Sequence, residues 1–448
     1  MTQRGDAPRA QIGDVHDDTA AGSGVDDSGI DPAGPIGSLR PGRTLTALTS
    51  SALALPGIAG SARADAPIEQ ATGSAAFSYY KEDNLSPGKF LDDGSGSRER
   101  YEVFTGQMRF DIPTSERTDI GIDLLYEEMS GASPWFVQSG PSGEALQVMS
   151  GATIEDRRFD LQADIDFYLE DGKDSFRSGF SLEQDYASFN FGLGTERSFA
   201  DKNTTLSFSG GFSYDWIEPT DADLFPTIRP EEEEKWSVDL FAGLSQVLTR
   251  ASTAQITLNY KHSDGYLSDP YKAIQEVNGG SGLLSDERPD TKDQVSILLR
   301  YRHHIEPITA SIHADYRFYT DSWSSTSHTF ELAWYQSLMN WLTITPSLRY
   351  YSQSKTDFYT PLLADGVIPD ERSSDFRLSP YGAVSWRIKA EAEVEDLPIW
   401  GGLDLIAALS WERYLSDGDL AFIDVKEAEE APGLVGFNIF AVSLTGRF

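Results

Sequence analysis

The residues best placed to do chemistry in this sequence are acids and arginines that recur at every second or fourth position. Asp119, Asp123 and Glu127 fall in one stretch and Asp160, Asp164 and Asp166 in another, while Arg300, Arg302, Arg317 and Arg349 come much later. On an extended backbone such spacing keeps side chains on one face. Carboxylates on one wall and guanidinium groups on a facing wall would orient a polar solute in a water-filled bore. The same residues could instead pair with one another and fill the interior, which also meets the cost of desolvating charge. The sequence leaves both readings open. His313 and Asp315 share a face with these arginines, and Ser327 and His328 begin the following stretch, so a Ser, His and Asp set can be drawn. Polar groups on neighbouring strands meet routinely, so no catalytic residue is assigned and no enzyme is expected. The acid-rich runs "PTDADLFPTIRPEEEEK" and "SDERPDTKD" lack the ligand spacing of a calcium loop, and neither a metal centre nor a cofactor is expected.

Composition excludes several classes. With 71 acidic against 36 basic residues the formal net charge is -35, which disfavours a nucleic-acid partner. Absence of cysteine removes disulfides, thiolate metal sites and covalently attached haem. A hydrophobic content of 39% is modest, but a membrane barrel spends only alternate residues on lipid.

Stepping to the elements that must hold these residues, the chain divides in three. Residues 1–39, rich in Gly, Asp, Ala and Pro, are expected to be disordered or to reflect a start assigned too far upstream. Residues 40–64 have the order of a secretory signal, with Arg40 and Arg43, an uncharged run, then Ala62, Arg63 and Ala64 before the expected cut. Residues 65–448 are expected to form the barrel, and from residue 71 onward the period-two pattern keeps returning, as in "FDLQADIDFYL" and "ITASIHADYRFY".

It predicts strands near 71–81, 99–111, 118–129, 156–169, 174–185, 188–199, 204–217, 235–248, 253–264, 292–303, 307–319, 327–338, 341–353, 375–388, 402–415 and 436–448. The fold class that follows is all-β, a transmembrane antiparallel up-and-down β-barrel of about sixteen strands. Connections sort into short ones at the periplasmic end and long ones outside, with 390–401 the single long exception within. Among the long ones, 130–155 and 265–291 are expected to fold inward as a constriction. Trp216, Trp236, Trp323 and Trp411 are expected near the outer headgroups, and Trp341, Trp386 and Trp400 near the inner ones. Pro346 and Pro380 fall inside predicted strands, where a missing N–H should interrupt pairing.

The chain ends "GFNIFAVSLTGRF", with apolar residues at every second place and a terminal Phe448. This resembles the signal by which the barrel-assembly machinery recognises its substrates. The runs "GYLSDPYK", "RPDTKD", "HADYRFYTDSW", "SHTFELAWYQ" and "LRYYSQSKTDFY" resemble an uncharacterised family of Gram-negative outer-membrane proteins, known as a domain of unknown function, over roughly residues 70–448. That resemblance implies an outer-membrane barrel without an established substrate, and a link to extracytoplasmic redox systems. The expectations are a porin-like channel for small polar solutes, embedded in outer-membrane lipid and lipopolysaccharide. The alternatives are a scaffold for a periplasmic or surface redox lipoprotein and, third, an outer-membrane hydrolase.

Overall fold

The last strand shows how the chain is sorted. Phe440, Val442 and Leu444 are 51%, 46% and 50% exposed, whereas the intervening Ile439, Ala441 and Ser443 are 1%, 8% and 9% exposed. One face is apolar and bare; the other is small or polar and covered. The same alternation recurs around the molecule, with Phe77, Phe104, Leu193, Phe208, Leu240 and Leu409 among the exposed set. Large apolar side chains pointing outward all round a closed sheet are stable only against lipid.

The computed structural model describes residues 68–91, 98–132, 134–149, 154–280, 282–397, 403–428 and 431–447. The expected extension, the signal segment, Trp400 and Phe448 lie outside the described residues. The first strands are β1 (Thr72–Glu82), β2 (Glu102–Ser115), β3 (Thr118–Gly131), β4 (Pro134–Ser139), β5 (Ala145–Met149) and β6 (Ile154–Leu169). There follow β7 (Gly172–Leu182), β8 (Tyr186–Phe199), β9 (Thr204–Ile217), β10 (Glu233–Thr249), β11 (Ser252–Gly265), β12 (Ala273–Gln275) and β13 (Leu283–Ser285). The rest are β14 (Thr291–Ile305), β15 (Ala310–Asp321), β16 (Thr326–Met339), β17 (Leu342–Gln353), β18 (Tyr381–Leu397), β19 (Leu403–Asp417) and β20 (Gly436–Arg447).

Sixteen of these close into one antiparallel ring in the order β1-β2-β3-β6-β7-β8-β9-β10-β11-β14-β15-β16-β17-β18-β19-β20. The ring is sealed by β20, which pairs with β19 on one side and with β1 on the other, from Thr72↔Arg447 to Glu82↔Phe437. Closure satisfies the backbone N–H and C=O groups between strands, as a hydrocarbon surrounding demands. The four short strands form two hairpins, β4–β5 and β12–β13, inside long outer connections.

Three expectations need correction. The strand foreseen at 375–388 begins after Pro380, because proline cannot donate to a ladder, and runs on to Leu397. The supposedly long inner connection 390–401 therefore shrinks to residues 398–402. At Pro346 pairing is interrupted as expected: the ladder with β16 skips from Ala333↔Ser347 to Gln336↔Ile344, while Pro346 stays level with Ile388 of β18. The tryptophan belts are also less regular than expected. Trp216 and Trp341 are exposed at opposite ends of the wall, but Trp323 is 3% exposed within an outer loop core with Leu267, Phe358 and Tyr359. Trp386 lies in the outer half of β18, since that strand starts later and ends deeper.

Candidate functional site: the lumen and its outer mouth

Register decides which residues face inward. Asp119, Asp123 and Glu127 on β3 face the lumen, and level with them on β6 stand Asp166, Gln162 and Arg158, with Asp160 and Asp164 between. On the far side of the ring Arg300 and Arg302 of β14 stand level with Asp315 and His313 of β15, and Arg317 with Leu298. Arg349 of β17 pairs with Glu331 of β16. In ring order β3–β6 and β14–β17 are about half a circumference apart, so acids and arginines occupy opposing walls.

Each wall also contains its own counter-charges, which the spacing alone does not reveal. Arg109 of β2 holds three carboxylates: Asp111 at 2.6 Å, Asp164 at 3.2 Å and Asp123. To reach Asp164 on β6 its guanidinium passes over β3 at Gly121. A Cβ there would meet Arg109 Nη2 at 2.5 Å and the Asp164 carboxylate at 2.6 Å, so only glycine leaves the passage clear. Asp166 accepts from Lys173 Nζ and Ser175 Oγ at 2.5 Å each, and Tyr168 donates to Asp119 at 2.8 Å. Opposite, Arg302 forms a forked pair with Asp315, Arg300 Nε lies 3.4 Å from it, and Glu331 takes Arg349 at 2.9 Å and Arg387 at 3.8 Å. Both open readings are thus partly realised, with opposed walls and local pairing together. Even so, carboxylates outnumber cations on β2–β6, and on the lumen face of β14–β17 Lys292, Arg300, Arg302, Arg317 and Arg349 outnumber Asp315, Asp321 and Glu331.

The histidines do not assemble into a catalytic set. Asp315 is engaged by two arginines while His313 lies against Tyr335, ring centroids 4.2 Å apart. Ser327 and His328 point to opposite faces, and His328 meets Tyr316 Oη at 2.8 Å and Phe422 on the exterior.

Side chains fill the lumen unevenly. Tyr80, Tyr101, Val103, Met129, Phe437 and Ile439 pack into a buried cluster on the β20–β1–β2–β3 side. Along β7–β10 the inward positions include Gly179, Gly192, Gly194, Ser209, Gly211 and Gly243, interspersed with the larger Arg177, Asn190, Asp239 and Phe241.

At the outer end the eight connections between ring strands meet one another. Loop 266–290 sends Lys272 Nζ to the carbonyl of Pro134 in the β4–β5 hairpin, so the two segments expected to constrict the bore are joined. Lys272, Arg288 and Arg377 lie among Asp269, Asp286 and Asp375, three cations with three carboxylates, drawn from loops 266–290 and 354–380. Arg288 bonds Asp286 at 2.8 Å and Asp375 at 3.0 Å with about 1% of each side chain exposed. Burial alone would push the Asp375 carboxyl up, but Arg377, Lys272 and Arg288 together hold it well below the usual carboxylate range. Burial pulls Lys272 down to about 8. The runs "GYLSDPYK" and "SDERPDTKD" contain four of these six residues, but no local spacing shows that they meet.

A second clasp ties loop 266–290 to the β7–β8 turn, where Tyr271 donates to Asp185 and receives the Thr220 N–H at 3.0 Å. Burial raises Asp185 to about 7 and neighbouring Glu183 to about 8, with Asp156 adding to both, against Arg158 near Glu183 and the Tyr271 hydroxyl on Asp185. Glu127, Asp269 and Arg229 complete the charged surroundings. Acid should therefore tighten the clasp. Asp185 keeps a proton in the closed loop that it would release when freed at its ordinary value of about 4, so this help is full below pH about 4 and fades as pH rises through about 7. Protease cutting of loop 266–290, normalised to an unfolded substrate at each pH, is expected to be slower at mildly acidic than at mildly alkaline pH. The paired change Asp185→Asn and Glu183→Gln should flatten the difference; an unaltered profile would reassign the effect.

A closed sheet with an apolar exterior, a charged interior and short inner turns defines a membrane-spanning β-barrel of the outer-membrane type. The chain belongs to the family described as "Protein of unknown function (DUF3570)", whose profile matches residues 45–405. No curated protein matches it. Among solved structures it is similar to a bacterial polysaccharide outer membrane secretin, at 8% identity and TM-score 0.45, covering 85% of this chain and 98% of that one. A Pseudomonas aeruginosa FadL homologue is similar at 10% identity and TM-score 0.37, covering 84% and 90%. The CymD monoaromatic hydrocarbon channel is similar at 10% identity and TM-score 0.38, covering 85% and 89%.

Proposed function

We propose that this barrel is an outer-membrane conduit for small polar solutes that carry charge, passing between the acidic and basic walls. The observation that carries this reading is the opposition of β2–β6 carboxylates to β14–β17 arginines, because a transverse field of that kind aligns a dipolar solute without binding it tightly. The inward glycines Gly179, Gly192, Gly194, Gly211 and Gly243 support it by thinning that part of the wall. Outside, the apolar belt packs against lipid and lipopolysaccharide.

Planar-bilayer recording tests it on a refolded variant in which residues 267–289 are replaced by a short Gly-Ser link, so that the outer connections cannot obscure the bore. Discrete conductance steps are expected; a correctly refolded but silent barrel overturns the conduit. Glu331→Gln in that background leaves Arg349 and Arg387 without their shared carboxylate. Its reversal potential in a salt gradient should move toward anion preference, with an unchanged value counting against the charged walls as the selective element.

A further inference from the structure

We infer that the eight outer connections form one interlocked lid that shuts the conduit, with the buried charge cluster of loops 266–290 and 354–380 as its lock. The inference rests on the conduit reading above and assigns the regulation of that same path.

Four features carry it. The first is span. Loop 266–290 leaves the ring between β11 and β14, yet reaches the β4–β5 hairpin, which leaves between β3 and β6. Loop and hairpin together thus link sides of the ring about half a circumference apart. The second is completeness. Leu91 N–H donates to Gln147 O at 3.1 Å, Lys89 Nζ to Ala431 O at 3.1 Å, Asp357 N–H to Trp323 O at 3.1 Å, and Lys355 N–H to Asp424 Oδ2 at 3.3 Å. With Asp185–Tyr271 and Thr220–Tyr271, these bonds join every outer connection to another.

The third is a core. Ala273 and Ile274 of β12 are fully buried and Leu267, Gln147 and Met149 nearly so, although all five belong to segments between ring strands. Connections that merely edged a pore would keep such residues wet. The fourth is a lock of a specific kind. Backbone bonds join the two loops, Val277 N–H to Leu363 O at 2.9 Å, Leu363 N–H to Gln275 O at 3.0 Å and Arg372 N–H to Glu287 O at 2.7 Å. The balanced cluster lies among them, and Ser374 Oγ donates to Ala273 O at 2.8 Å. A cluster whose charges cancel is favourable only while complete, since removing one member strands the others away from water. Closure held this way has two states rather than a continuum, as a gate requires.

Asp375→Ala removes the carboxylate shared by Arg288 and Arg377 and is expected to raise open probability on the order of a hundredfold over the near-silent native barrel. The sequence contains no cysteine, so Glu276→Cys with Leu363→Cys, at a backbone bridge between the two loops, adds a single oxidisable pair. In the Asp375→Ala background, oxidation should silence the channel and reduction restore it. Should Asp375→Ala fail to refold, the variant with 267–289 replaced takes its place, because its sixteen ring strands are untouched. A native barrel that conducts with the same steps and open probability as the opened variant overturns the lid while the conduit stands. An opened variant that refolds and stays silent overturns the conduit, and the lid with it.

Discussion

Arg109→Gln is expected to cost about 3–5 kcal/mol of barrel stability, the loss typical of removing one partner from a buried ionic cluster. The effect is large because a single guanidinium serves Asp111, Asp123 and Asp164, and only 17% of its side chain is exposed. Glutamine keeps most of the volume, so the loss reports charge rather than packing. Urea unfolding in detergent micelles, followed by tryptophan emission, measures it. The midpoint should fall, and adding Asp164→Asn should recover part of the loss by removing one stranded carboxylate. A midpoint within about 0.5 kcal/mol of the parent, the range of ordinary surface substitutions, would show that the three acids do not depend on Arg109.

Gly265→Ala comes second, at about 3 kcal/mol or more. Gly265 ends β11 and starts loop 266–290, its N–H bonded to Asp290 O at 2.9 Å, with Tyr266 N–H donating to Glu234 O at the same distance. Its φ is +120°, which side chains rarely adopt, and a Cβ would lie 2.4 Å from Glu234 O, a backbone atom with little freedom to give way. Unlike Arg109→Gln, this change should spare the wall and loosen the lid. Unfolding of the ring should shift little while protease cutting within 266–290 accelerates; the reverse pattern would place the pivot elsewhere.

The ring was legible because lipid leaves so few options. "FDLQADIDFYL" must put Phe159, Leu161, Ala163, Ile165 and Phe167 outward or fail, and no tertiary partner is needed to decide it. The expected inward direction of Asp119, Asp123, Glu127, Asp160, Asp164, Asp166, Arg300, Arg302, His313, Asp315, Arg317 and Arg349 follows from the same period, and register puts them on one face of the closed sheet. What pairs with them was not legible. Arg109 gains Asp164 only because β2, β3 and β6 are aligned so that Gly121 lies between them. The lid was least legible of all, since Arg288 meets a residue 87 positions away and Arg377 one 108 positions away. No local period encodes such meetings, and Trp323, expected among headgroups, was claimed by that core for the same reason.

The double pairing of β20 constrains the order of events during biogenesis. Until that strand arrives, the nascent sheet presents two raw hydrogen-bonding borders, and such borders invite promiscuous pairing with other chains. The cylinder therefore cannot zip shut progressively as it emerges. The β20–β1 seam can form only once the last strand is present, and both borders stay open to pairing until then.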